Sequence, residues 1–177
     1  MEYRLDKQHL LDAIALWNRF LKKKVHLIAC GGTALTLLDI KNSTKDVDFL
    51  VPDQNEYRYL LAMLKDLNYK PATGHGWARE GEPYIFDLYP GKRVHTTELL
   101  NSPLEVGRHT LLKEYQYVII GILNDYDLII SKLFRGAGVD FEDTLMLYRS
   151  KKGEIDLKKL QHGSKRPPPM ISPRRAC

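Results

Sequence analysis

Apolar residues recur at Leu10, Leu11, Ile14, Leu16, Trp17, Phe20 and Leu21. Steps of three and four are the spacing of one helix face, and they predict a helix from Asp6, its N-cap, to about Lys22. Lys22-Lys23-Lys24 closes it, where cations complement the negative end of the helix dipole. Val25 to Cys30 is then an unbroken apolar run, short enough for a buried strand. Gly31-Gly32 breaks the run, and Thr33 to about Ile40 reads as a short helix. Asp46 to Val51 reads as a second strand, in which Val47, Phe49 and Val51 face a core and Asp46 and Asp48 share the other side. Pro52 ends that strand and Asp53 caps a helix through about Leu67.

The second half is less regular. Gly74 to Gly81 is loop or weak strand, and Tyr84 to Tyr89 is a strand stopped by Pro90-Gly91. Within residues 92–115 only Thr110-Leu111-Leu112 suggests a strand, whereas Tyr117 to Leu123 is a continuous apolar run. Asn124 or Asp125 starts a helix to about Arg135; Gly136-Ala137-Gly138 interrupts it, and a last helix runs from about Phe141 to Tyr148. This order predicts an α/β (α+β) domain over residues 1–162, with a mixed sheet, flanking helices and a short helical C-terminal part. Residues 163–177, with Pro167, Pro168, Pro169 and Pro173 among four cations, read as a disordered Pro/Arg-rich basic tail.

Charge changes this picture little. The net charge of +5 suggests a nucleic-acid binder, but residues 151–177 hold eight of the 27 Lys+Arg and two of the 22 Asp+Glu. Residues 1–150 are left with 19 cations against 20 anions, so the body is near neutral and the basic excess is local. An RNA-binding role carried by that tail follows as one expectation. The longest apolar stretch, Tyr117 to Leu123, is far too short to span a bilayer. The first residues carry no secretory-type apolar run, so a cytoplasmic protein is expected. Cys30 and Cys177 show no spacing for a disulfide framework or zinc, and Cys30 reads as a small buried hydrophobe.

Candidate chemistry centres on acidic residues. Asp46 and Asp48, two apart on a strand, lie roughly 6.5–7 Å apart on one face. Paired hard oxygen ligands suit Mg²⁺ together with substrate phosphates. Asp87, among the apolar neighbours Phe86 and Leu88, could complete an ion site or take a proton from an attacking hydroxyl. Gly31-Gly32-Thr33 places two glycines between a strand and a helix, where backbone can approach a phosphate and free N–H groups point at it. Thr33 can cap that helix or contact phosphate. His26, His75, His95 and His109 have no evident role, Trp17 and Trp77 read as packing residues, and Lys45 reads as solvated.

With these residues in place, the chain resembles the DNA polymerase β-type nucleotidyltransferase superfamily. The motifs are Gly31-Gly32-Thr33, Asp46-Val47-Asp48 and, later, Asp87. Gly31-Gly32-Thr33-Ala34-Leu35 followed by Thr44-Lys45-Asp46-Val47-Asp48-Phe49 looks like the small prokaryotic nucleotidyltransferases, which include the AbiE-type toxin components; the likeness covers about residues 25–150. The resemblance implies that Asp46, Asp48 and Asp87 bind Mg²⁺ (or Mn²⁺), and that Gly31, Gly32 and Thr33 hold the triphosphate of an NTP. Asp127 to Arg135 and the segment through Asp140 and Asp143 are similar to a late helical motif of those toxins, in which Lys132 matches a functional lysine that would also touch nucleotide. Asp140 has the simpler reading of an N-cap. The implied reaction moves a nucleoside monophosphate to an acceptor hydroxyl and releases pyrophosphate. A tRNA end, a protein or a small molecule such as an aminoglycoside would be the acceptor, with an antitoxin as a further partner. The alternative is a catalytically inactive nucleotide- or RNA-binding module on the same fold.

Overall fold

The computed structural model describes residues 3–163, so the expected tail lies outside the described residues beyond Gly163. Asp6 caps the first helix as its sequence predicts: its carboxylate accepts the N–H of His9, and α1 runs Lys7–Asn18. It stops short of the lysines because Arg19 and Phe20 donate three residues back, to Leu16 and Trp17, which tightens the chain and turns Leu21 into the core. Strand β1 (Val25–Ala29) follows, then α2 (Gly31–Leu37), β2 (Val47–Val51) and α3 (Gln54–Asp66). Asp53 caps α3 by accepting from Asn55 and Glu56.

Three short strands come next: β3 (Lys70–Pro71), β4 (Gly76–Ala78) and β5 (Phe86–Pro90). A small hairpin, β6 (Arg93–Val94) and β7 (Thr97–Glu98), stands apart from the main sheet. The rest comprises β8 (His109–Glu114), β9 (Val118–Leu123), α4 (Asp125–Arg135), α5 (Gly138–Ser150) and α6 (Leu157–Gly163). α5 begins earlier than its periodicity suggests: Ala137 is its N-cap, and Asp140 sits in its first turn, accepting the Ala137 N–H. Asp140 is therefore not the cap. The strand Lys70–Pro71 and helix α6 lack the apolar periodicity that would predict them.

The main sheet has seven strands in the order β3-β4-β5-β2-β1-β9-β8. It is mixed: β1 pairs antiparallel with β2 and parallel with β9, while β2 pairs parallel with β5. Register decides which side chains share a face. Val47 lies beside Phe86, and Asp48 beside Asp87. The Trp17 ring packs 4.5 Å from Phe86, which puts α1 on the Val47–Phe86 side. Asp48 and Asp87 point to the other side, where Gly31 at the start of α2 meets Asp48. All five residues of β2 are buried, Leu50 on the aspartate side included. Solvent is reached just before β2, where Lys45 and Asp46 are exposed. Among the described residues no helix is long and apolar enough to cross a membrane.

Candidate active site

Asp46 sits exposed immediately before β2, and Asp48 within it is 3% exposed. The turn from β1 into α2 holds both in place. Gly31 has φ +57°, and a Cβ there would lie 2.8 Å from Asp48 Oδ2. Only glycine gives both that backbone and that clearance. Gly32 faces Thr44, whose hydroxyl a Cβ would meet at 2.8 Å. Thr33 neither caps α2 nor reaches solvent. It is fully buried, its hydroxyl donates to the Asp46 carbonyl (3.1 Å) and accepts from the Asp48 N–H (2.9 Å), and α2 has no side-chain cap. Thr44 donates to the same Asp46 carbonyl (2.9 Å). Two threonines thus fix the backbone that presents the aspartates.

Asp87 is the direct cross-strand partner of Asp48, about 4.8 Å away at the Cα by ordinary strand spacing. Burial pushes the Asp48 carboxyl up to about 7, and the charges of Asp87 and Asp46 add to the push. Burial and then Asp46 raise Asp87 as well, with His75 and Arg135 opposing. The sequence gives no signal for two residues that join this group. Tyr89, two beyond Asp87 on the same face, donates its hydroxyl to Asp48 Oδ1 (3.4 Å). His95, at the tip of the β6–β7 hairpin with φ +51°, places Nδ1 2.8 Å from that hydroxyl, and Arg135 lies 3.4 Å from its Nε2. Donation from Arg135 to His95 to Tyr89 to Asp48 satisfies every member. Burial, then Arg135, lowers the His95 pKa.

Cations share the cleft with the aspartates. A cleft of about 340 Å³ is lined by Gly32, Asp46, Asp48, Asp140 and Asp143 together with Arg4, Lys41, Lys45, Lys132 and Arg135. Lys45 therefore borders the cleft and is not merely a solvated neighbour. Lys132, 4% exposed, is held by Asp143 (2.7 Å) and Asp140 (3.6 Å). Burial alone would raise Asp143, but hydrogen bonds from Lys132 and Lys41 hold its carboxyl below the usual range. Arg4 is set at the rim by donating to Ser43, where Leu5 bridges to Thr44. Of the residues expected here, Gly32, Asp46, Asp48 and Lys132 line the cleft; Gly31, Thr33 and Asp87 are not among its lining residues.

Among the described residues no group of three or more His, Cys, Asp and Glu is gathered closely enough to hold a metal ion. Asp46, Asp48 and Asp87 thus form no closed ion cage. Their chemistry nonetheless fits a divalent ion that arrives with substrate. Burial, then the charges of Asp87 and Asp46, disfavour ionised Asp48, which a bound cation would relieve, and Mg²⁺ typically takes one or two carboxylates plus substrate phosphates.

No family model and no curated protein matches the chain. A solved structure does: that of ANT(2")-Ia in complex with adenylyl-2"-tobramycin, at 14% identity and a TM-score of 0.56, covering 86% of this chain and 91% of that one. The chain therefore has the nucleotidyltransferase fold, with a mixed seven-stranded sheet and flanking helices.

Proposed function

We propose that this chain is a metal-dependent nucleotidyltransferase that moves a nucleoside monophosphate from an NTP to an acceptor hydroxyl. The observation that carries the reading is the cross-strand pairing of Asp48 with Asp87 beside a cleft that Asp46 and Asp48 line together with five cations. Asp46 and Asp48, backed by Asp87, would hold Mg²⁺ or Mn²⁺, which when bound would screen phosphate charge and polarise the α-phosphate. Gly32 lines the cleft, where a polyphosphate would lie against the start of α2, and Gly31 leaves room for the Asp48 carboxylate. Thr33 serves by position, holding the aspartate backbone, and Lys132 contributes positive potential from its buried seat. The acceptor oxygen bonds to the α-phosphorus, its proton passes to the Asp87 carboxylate, and the bond to pyrophosphate breaks. The raised affinity of Asp87 for a proton suits that duty.

The acceptor is a hydroxyl-bearing molecule. The structural neighbour holds an adenylylated tobramycin, which supports a small-molecule hydroxyl; the motif resemblance to AbiE-type toxins supports a tRNA end, with an antitoxin as partner. Incubation with labelled NTPs, Mg²⁺ and separate pools of RNA, protein and aminoglycosides reads the choice directly. Pyrophosphate release should require one of these pools and should vanish in Asp48→Asn. Release that persists in that variant would sink the proposal. A second reading, a binding module that has lost its chemistry, draws on the described residues gathering no group of three or more His, Cys, Asp and Glu closely enough for a metal ion. It predicts NTP binding with no pyrophosphate released against any pool.

A further inference from the structure

The strongest feature outside the expected motifs is Lys41. It follows α2 in a loop that no pattern marks. The chain leaves α2, turns through Asp39 at φ +60°, and folds back so that the N–H groups of Ile40 and Lys41 both donate to Leu35 O (2.9 and 3.1 Å). The reversal sends the Lys41 side chain back along the helix toward its first residues. Its ammonium lies 4.0 Å from where a Cβ on Gly32 would stand. It also pairs with Asp143 Oδ1 at 2.8 Å, while Lys132 takes Oδ2 at 2.7 Å. One buried carboxylate therefore spaces two ammonium groups along the cleft.

The two lysines differ in what they can do. Lys132 is 4% exposed and pairs with both Asp140 and Asp143; withdrawing it would break two contacts to buried carboxylates at once and leave its own charge to be rehoused. Its charge is fixed. The Lys41 side chain is 18% exposed, and Asp143 keeps Lys132 when Lys41 turns away. The group of Lys41, Lys132 and Arg135 against Asp140 and Asp143 carries one positive charge in excess, facing the cleft. Asp46 and Asp48 line the same cleft. A ligand that fits both groups has a cation-binding end and a polyanionic tail.

The geometry points to Lys41 as a polyphosphate-binding residue, held over the glycine turn by Asp143, that makes the cleft prefer a triphosphate to a monophosphate. Once the α-phosphate stands at the aspartates, only the β- and γ-phosphates extend toward the Lys41 ammonium. A monophosphate leaves Lys41 on Asp143. The identity of the ligand as a nucleotide rests on the transferase reading; the polyphosphate site does not.

The test is calorimetric titration of the full chain and of Lys41→Met and Lys41→Arg with ATP, inorganic tripolyphosphate and AMP, each with Mg²⁺. Thermal unfolding of each variant checks that the fold is kept. Lys41→Met should weaken ATP and tripolyphosphate about tenfold or more, the usual worth of a charge-assisted hydrogen bond. AMP should change less than twofold, and Lys41→Arg should recover most of the loss. Equal affinity of Lys41→Met and the unaltered chain for tripolyphosphate would overturn the assignment, as would a parallel loss of AMP. An unaltered chain that binds no polyphosphate overturns it together with the transferase reading. Lys41-dependent binding of tripolyphosphate with no preference for ATP would support the site and reject the transferase reading alone.

Discussion

At the scale of single residues, glycine at position 31 answers two demands at once. Its φ of +57° suits no other residue well, and the space where a Cβ would stand belongs to Asp48 Oδ2. Gly31→Ala should cost about 1–2 kcal/mol for the left-handed backbone alone. It should also displace the Asp48 carboxylate and so lower the proposed nucleotidyl transfer beyond what instability explains. Urea unfolding and pyrophosphate release, measured on the same preparation, separate the two effects; full activity in a destabilised variant would contradict the coupling. Gly31, Gly32, Asp46 and Asp48 were legible in the sequence because each is part of a contiguous motif whose spacing encodes a local geometry. Lys41, Tyr89 and His95 were not. Their roles arise from contacts with Asp143 and Asp48, far along the chain, and no local period reports such a meeting.

At the scale of elements, the joint between α2 and β2 matters more than either alone. Thr33 fastens the helix to the strand through one donated and one accepted hydrogen bond. Thr33→Val keeps the volume and removes both, leaving the Asp48 N–H buried without a partner at a cost of about 1–3 kcal/mol. Thr33→Ser should keep both bonds. The expected result is a lowered denaturation midpoint and lowered kcat in the valine variant, with the serine variant near the unaltered chain. If both variants behaved alike, the hydroxyl would not be what holds the strand. Helices α1 and α3 could be foretold nearly to the residue at their starts because Asp6 and Asp53 are N-caps with a known chemistry. α5 could not, since Ala137 opens it without a side-chain cap and Asp140 does its work from inside the first turn.

At the scale of the whole molecule, the site is bound up with global stability. The Asp48 carboxyl keeps its proton to about pH 7 in the fold, against the ordinary 3.8. Between those values the unfolded chain binds fewer protons than the folded one, so stability falls as pH rises through that window. A gap of about three units corresponds to about 4 kcal/mol. Asp48→Asn removes the burden: its stability gain should be absent near pH 3.5, grow through pH 4 to 7, and stay level above. Denaturation midpoints at pH 4.5 and 8 check this, and a gain no larger at pH 8 would refute it. The mixed α/β class followed from the order of strands and helices along the chain, but the strand order did not, because pairings between distant segments leave no periodic trace.

That strand order has a bearing on how the protein is made. β1 lies between β2 and β9, yet β9 is the last strand among the described residues, ending at Leu123. While the ribosome is still extending the polypeptide, one apolar flank of β1 has its later neighbours only after Val118–Leu123 has left the exit tunnel. Until then the nascent chain carries an unpaired strand edge, the kind of surface that holdase chaperones capture and that drives association when synthesis stalls.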